Sequence, residues 1–368
     1  MPFSQLLKFS KIYQDYGLGA AKNFYLLVSL ISLGQTVNLY KLKDHVSSVL
    51  GKTHTDVQSH YQRLIRFFKD WGKSEEFLHD ILRHNLGLLR QGGHQTLILD
   101  GTSWQFGQTE IHYLVLAVQV GGVAIPLYWK QLGKIGTSNQ EERKEMMDEA
   151  LGIFDLRGMT LLADREYIGK EWFKYLSDKG LHFVIRMKRG DYEQDTNAVC
   201  GRSYRAMYRR CQQKKKVVSK RITLNHTSYT LVMMPNPKVG ADEPVMVFLT
   251  TLRSSRYAAA AYKLRWKIEC MFKHLKTNGY HLEDLNLKDA GKTRLMMALV
   301  ATAYLLALRE GWRRKKKIPL KKYADGTRWP ACSLFRAGLA YLIEKSQQLQ
   351  RFLTYLESIS KTPKTPPD

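Results

Sequence analysis

Cysteine is scarce in this chain, and the few present are poorly placed for a metal. Among 368 residues there are four, Cys200, Cys211, Cys270 and Cys332, with no C-x-x-C pair. That argues against zinc and against a disulfide framework, and it fits a reducing compartment. Long apolar runs are missing too. The longest, Leu295 to Leu308, is too short to span a bilayer comfortably and reads as a buried core helix. The opening residues, MPFSQLLKFSK, lack the apolar stretch and small-residue cleavage site of a secretory signal. No internal repeat is visible. Acidic charge is the third shortage: 33 Asp+Glu stand against 58 Lys+Arg, a net charge of +25. Such an excess suits a polyanion, because Lys and Arg displace condensed counterions from DNA or RNA. The competing reading is solubility, or loose attraction to a membrane surface. Against it, the positive charge comes in separate blocks, Lys214-Lys215-Lys216 with Lys220-Arg221, and Arg313 through Lys317 with Lys321-Lys322. The expectation is a cytoplasmic protein that engages nucleic acid and no membrane.

The organisation follows from the apolar period. Residues 1–92 read as helices. Leu39–Val49 has helical spacing and stops near Gly51; Thr55–Lys69 resumes it, with Thr53 or Thr55 as N-cap. Two short helices about a glycine suit a helix-turn-helix, with His54, Gln58, Gln62 and Arg66 on the groove-reading face. From about residue 93 the period becomes extended. Thr96–Asp100 is a short strand ending in an acid, and Ile111–Val120 and Val123–Trp129 are a hairpin about Gly121-Gly122. A helix over Gln140–Phe154 and a strand Met159–Asp164, again ending in an acid, come next. A helix Lys170–Lys179 and a strand Leu181–Met187 complete a mixed α/β sheet with flanking helices over 93–187. Residues 188–250 read as a β-rich insertion and 251–312 as the second part of the core. Residues 313–358 read as C-terminal helices, and 359–368 as a proline-rich disordered tail.

The most informative segment is a helix over Tyr257–Thr277. At 100° per residue, Leu264, Ile268, Met271 and Leu275 share one apolar face. The opposite face holds Tyr262, Arg265, Trp266, Glu269, Lys273 and Lys276. A single acid among bases is either an ion-pair partner at helical spacing or a metal ligand flanked by phosphate contacts. Asp100 and Asp164 end strands, where ligands of α/β sheets are usually bound. Each also has a plain reading, as a turn residue before Gly101 or as a partner for Arg165. If the helix packs beside those strand ends, Asp100, Asp164 and Glu269 share one site. Crowded carboxylates disfavour mutual ionisation, and hard oxygen ligands select magnesium or manganese. Two such ions ~3.5–4 Å apart are suited to phosphodiester chemistry.

Three patterns carry a resemblance. Thr96–Asp100 followed by Gly101-Thr102-Ser103-Trp104, Leu161–Asp164 followed by Arg165-Glu166-Tyr167, and Tyr262/Arg265/Glu269/Lys276 at Y-x2-R-x3-E-x6-K resemble DDE transposases of the insertion-sequence-4 family. The similarity covers about 95–280, and the N-terminal helices fit the family's DNA-binding region more loosely. The resemblance implies a ribonuclease-H-like core and a catalytic, metal-binding triad of Asp100, Asp164 and Glu269 holding two Mg2+ ions, with Mn2+ as substitute. It further implies contacts to transposon-end phosphates from Tyr262, Arg265 and Lys276. Trp266, Lys273 and Arg165 are further candidates for DNA contact, Trp266 by base stacking or, alternatively, as packing against the sheet. The implied activity is cut-and-paste transposition in a bacterial nucleoid. It acts on double-stranded inverted-repeat ends and target DNA, through a homodimer assembled on DNA. A nuclease of the same fold that does not join strands, and a domesticated non-catalytic DNA-binding protein, are the alternatives.

Overall fold

The computed structural model describes residues 2–51, 55–89, 96–106, 109–134, 136–188, 203–224, 227–238 and 240–361. They form two compact units, Met1–Gln91 with Trp104–Ile111 and Met271–Asp368, and Gly92–Ser103 with His112–Cys270.

The second unit carries a mixed sheet. Its strands are β1 (Thr96–Phe106), β2 (Thr109–Val120), β3 (Val123–Leu132), β4 (Thr160–Ala163), β5 (His182–Arg186), β6 (Val218–Leu224), β7 (Thr227–Pro235) and β8 (Val245–Thr250), in the order β3-β2-β1-β4-β5-β8-β7-β6. β2 and β3 are antiparallel, while β1, β4 and β5 run parallel. This mixed α/β arrangement is consistent with a ribonuclease-H-like core. β4 is buried at every position, as expected of a short parallel strand covered on both faces. The β2–β3 hairpin turns on Gly121 and Gly122, with φ of 56° and 81°, the left-handed pair that a two-residue turn between twisted strands requires. Helices Gln140–Ile153, Lys170–Asp178, Ser203–Lys214 and Ser255–Tyr262 belong to the same unit.

Two expectations change here. β1 does not stop at Asp100 but continues to Phe106; only its parallel pairing with β4 stops there, at Leu99. The segment expected to be an insertion contains the helix Ser203–Lys214, and its three strands extend the main sheet, because β8 pairs antiparallel with β5. Unsatisfied strand edges favour such continuation over a separate sheet. Residues 189–202 lie outside the described residues.

The first unit is helical: Phe3–Leu6, Lys11–Gly34, Leu39–Leu50, Val57–Trp71, Glu75–Gly87, Ala290–Arg313, Leu334–Ser346 and Leu349–Ser360. N-terminal and C-terminal helices therefore share one core. Ala290–Arg313 is its centre, buried from Leu295 through Trp312. Lys11–Gly34 and Ala290–Arg313 are long and apolar enough to cross a membrane, but the apolar window of the second is wholly enclosed by protein. Ala290–Arg313 meets Leu334–Ser346 at very close range: a Cβ on Gly338 would overlap the Ala307 carbonyl oxygen, and one on Gly311 that of Leu334.

The helix pair around Gly51 is present, with Gly51 left-handed at φ 65°. Its second helix is capped by Asp56, whose carboxylate accepts from the Ser59 amide, so Thr55 is not the N-cap; Thr53 lies outside the described residues. Gln58, Gln62 and Arg66 are exposed on that helix, and His54 also lies outside the described residues. The last helix reaches Ser360, later than the expected start of the tail, and residues 362–368 lie outside the described residues.

Candidate active site

The sheet register builds the site. Leu99 pairs with Ala163 and Ala163 with Ile185. The next residue on each of these three parallel strands is charged: Asp100, Asp164 and Arg186. They form a row where the apolar core of the sheet ends, which is where parallel strands open to ligands. Arg186 was missed at the sequence level, although it carries the signal that revealed the two acids, a charge closing an apolar strand.

The segment expected to be one straight helix is broken. Ser255–Tyr262 is α-helical, Lys263–Arg265 is a 3-10 turn, and Trp266–Leu275 resumes the α-helix. The tighter turn rotates what precedes it, so Tyr262 is not on the solvent side. It is buried against Phe248 of β8, ring centroids 4.3 Å apart, and its hydroxyl donates to Asp164 Oδ1 at 3.2 Å. Leu264 is only half-buried, whereas Ile268, Met271 and Leu275 are core residues as expected. Trp266 is 53% exposed.

Arg265 links the acids. Its Nη1 donates to Asp100 Oδ2 at 3.2 Å and its Nη2 to Glu269 Oε1 at 2.7 Å. Burial alone would lower the guanidinium pKa, but the neighbouring Tyr262, Asp164 and Asp100 raise it. Asp100 is pushed up to about 6. Burial is the main cause, opposed by Arg265 and the Gly101 amide and reinforced by the charges of Asp164 and Glu269. Burial and the adjacent Asp164 also raise the Tyr262 phenol, keeping it a neutral donor.

A second layer holds the Asp164 loop. Arg143, almost wholly buried, donates to Ser138 Oγ and to the carbonyls of Ser138, Glu166 and Ile168. Its guanidinium lies 5.0 Å from the ring centroid of Tyr167, whose hydroxyl lies beside Gly101. Arg186 holds Glu243 at 2.7 Å and stands 3.9 Å from Asp164. Arg165, expected to face phosphate, is 3.5 Å from the same Glu243. Neither Arg143 nor Glu243 carried a sequence signal, since each acts through contacts across the fold.

Lys273 and Lys276 belong to the first unit. Lys273 is exposed. Lys276 pairs with Glu283 at 3.5 Å and lies 5.9 Å from the Trp104 ring centroid.

The donor chemistry of three carboxylates, Asp100, Asp164 and Glu269, suits a hard divalent ion. Among the described residues, however, no three acidic, histidine or cysteine side chains stand close enough to hold one ion together. Arg265 bridges Asp100 and Glu269, while Asp164 accepts from Tyr262 and faces Arg186. A guanidinium between two carboxylates supplies them with countercharge.

The sequence matches the family described as "Transposase DDE domain" over residues 91–306. A search of curated proteins finds no match. Among solved structures, the chain is similar to a piggyBac transposase synaptic complex with hairpin DNA, determined by cryo-electron microscopy. The two are 11% identical with a TM-score of 0.44, and 94% of this chain and 77% of that chain are covered.

Proposed function

This chain belongs to the transposase DDE domain family, and from that premise we propose that it cuts and joins DNA at the ends of a mobile element. The observation that carries the proposal is the row of Asp100 and Asp164 on adjacent parallel strands, with Glu269 brought to it through Arg265. The finer reading is cut-and-paste transposition of an insertion sequence of the insertion-sequence-4 type, on double-stranded inverted-repeat ends, by a homodimer assembled on DNA.

In this proposal Asp100, Asp164 and Glu269 hold divalent cations, Mg2+ or Mn2+. When bound, such ions supply activation of an attacking oxygen and stabilisation of the leaving oxygen at phosphorus. The rest is done by the chain. Arg265 neutralises Asp100 and Glu269 before loading and then turns its planar fork to a phosphate, which it suits better than a lysine would. Tyr262 orients Asp164 through its hydroxyl. Arg143 fixes the loop behind Asp164, so that the carboxylate keeps its direction. Trp266, exposed beside Arg265, offers a ring for a displaced base. Lys273, Lys276 and Arg165 add contacts to the DNA backbone.

The test is strand transfer with pre-cleaved ends. Purified protein with Mg2+ should join them to target DNA, and Asp100→Asn should not. Cleavage without joining would leave a nuclease of this fold. Full activity in Asp100→Asn would remove the acid from the site.

A further inference from the structure

We infer that a basic hairpin arm of the first unit, residues 315–331, is a second DNA-binding surface, which grips duplex phosphates. The inference rests on the proposed function only in taking DNA as the substrate. The arm contains strands β9 (Leu320–Lys322) and β10 (Arg328–Pro330), paired antiparallel and exposed at every position. An isolated two-stranded ribbon is at best marginally stable in water, and neither of these strands buries a residue to compensate.

Its charges make it less stable still. Lys322 and Arg328 are directly opposed across the ladder, a like-charge pairing that costs stability. Among the described residues, Lys315, Lys316, Lys317, Lys321, Lys322 and Arg328 make no ion pair. The single acid, Asp325, accepts from the amide and hydroxyl of Thr327. Arg313 and Arg314, at the root, are tied to Glu310. The six cations beyond the root thus have no counterion among the described residues, and a phosphate backbone would supply one.

Aromatic rings are interleaved with them. Trp329 is 62% and Tyr323 45% exposed, and Trp329 stands opposite Lys321. Large exposed rings next to such cations can pack on sugar or base while the charges contact phosphate. A second copy of the chain is the poorer occupant. Two arms of this charge repel, and the arm's one acid, Asp325, is bonded to Thr327 and is outnumbered by six cations.

The test is full-length Lys321→Ala/Lys322→Ala/Arg328→Ala, titrated with duplex DNA over a range of KCl concentrations beside the parent and Asp100→Asn. Removing one phosphate-binding cation should reduce the slope of log K against log salt by about 1. The arm variant should therefore flatten the slope by about 2–3 and weaken binding at least tenfold at low salt, while Asp100→Asn binds as the parent does. Trp329→Ala should weaken binding severalfold with little change in slope. The melting temperature should not fall, because the arm supports no core. Parent-like affinity and slope in the triple variant would overturn the arm alone. Loss of self-association with DNA binding intact would assign the arm to a second copy and overturn it as well. A parent protein that binds no DNA would sink the proposed function and the arm together.

Discussion

Asp100 and Asp164 follow Leu99 and Ala163, which are partners in the β1–β4 ladder, so two acids separated in the chain become neighbours at one sheet edge. Parallel strands in register present their side chains in step. Whatever this site binds has two carboxylates available side by side.

Asp100 should report its surroundings through pH. Its folded pKa, about 6, lies above the ordinary 3.8, so between those values the folded state binds more protons than the unfolded one. Stability then falls as pH rises from about 4 to about 6 and is flat above. A shift of this size corresponds to about 2–3 kcal/mol, as an order of magnitude. Urea unfolding of metal-free protein at pH 4.5 and 7 should show that loss in the parent and most of it absent in Asp100→Asn. Identical pH dependence in both would show that the carboxyl is not buried as described.

Arg265 competes with cations for Asp100 and Glu269. Arg265→Gln should therefore bind Mn2+ about tenfold more tightly than the parent in the absence of DNA, as calorimetry can measure, since a repelling charge is removed. The same variant should bind element ends more weakly, because no guanidinium remains to hold the phosphate. Weaker Mn2+ binding in Arg265→Gln would mean that the guanidinium supports the cation site rather than guarding it.

Arg143 is buried with four acceptors around it. Truncation strands those acceptors, so Arg143→Ala should cost about 2–4 kcal/mol. In Arg143→Lys, chosen to retain the charge, DNA binding should persist while the cleavage rate drops, because the Asp164 loop loses its fork-shaped anchor. Cleavage at the parent rate in Arg143→Lys would dismiss the positioning role.

Gly338 lets two helix backbones touch, and no side chain fits there. Gly338→Ala should destabilise the first unit by about 2–4 kcal/mol, through helix displacement rather than backbone strain. An unchanged melting temperature would show that the two helices pack more loosely than described.

Much of this was legible in the chain itself. The +25 charge, the apolar strands closed by Asp100 and Asp164, the Gly121-Gly122 turn and the Tyr262/Arg265/Glu269/Lys276 spacing are local signals. They depend on side-chain chemistry and the fixed periods of helix and strand. Tertiary structure decided what locality cannot. The 3-10 break at Lys263–Arg265 buried Tyr262, β8 joined β5 and brought the strands of the β-rich segment into the main sheet, and Arg143 found its acceptors across the fold. Those outcomes depend on which distant surfaces meet, and that is settled by packing and by the need to pair every buried polar group.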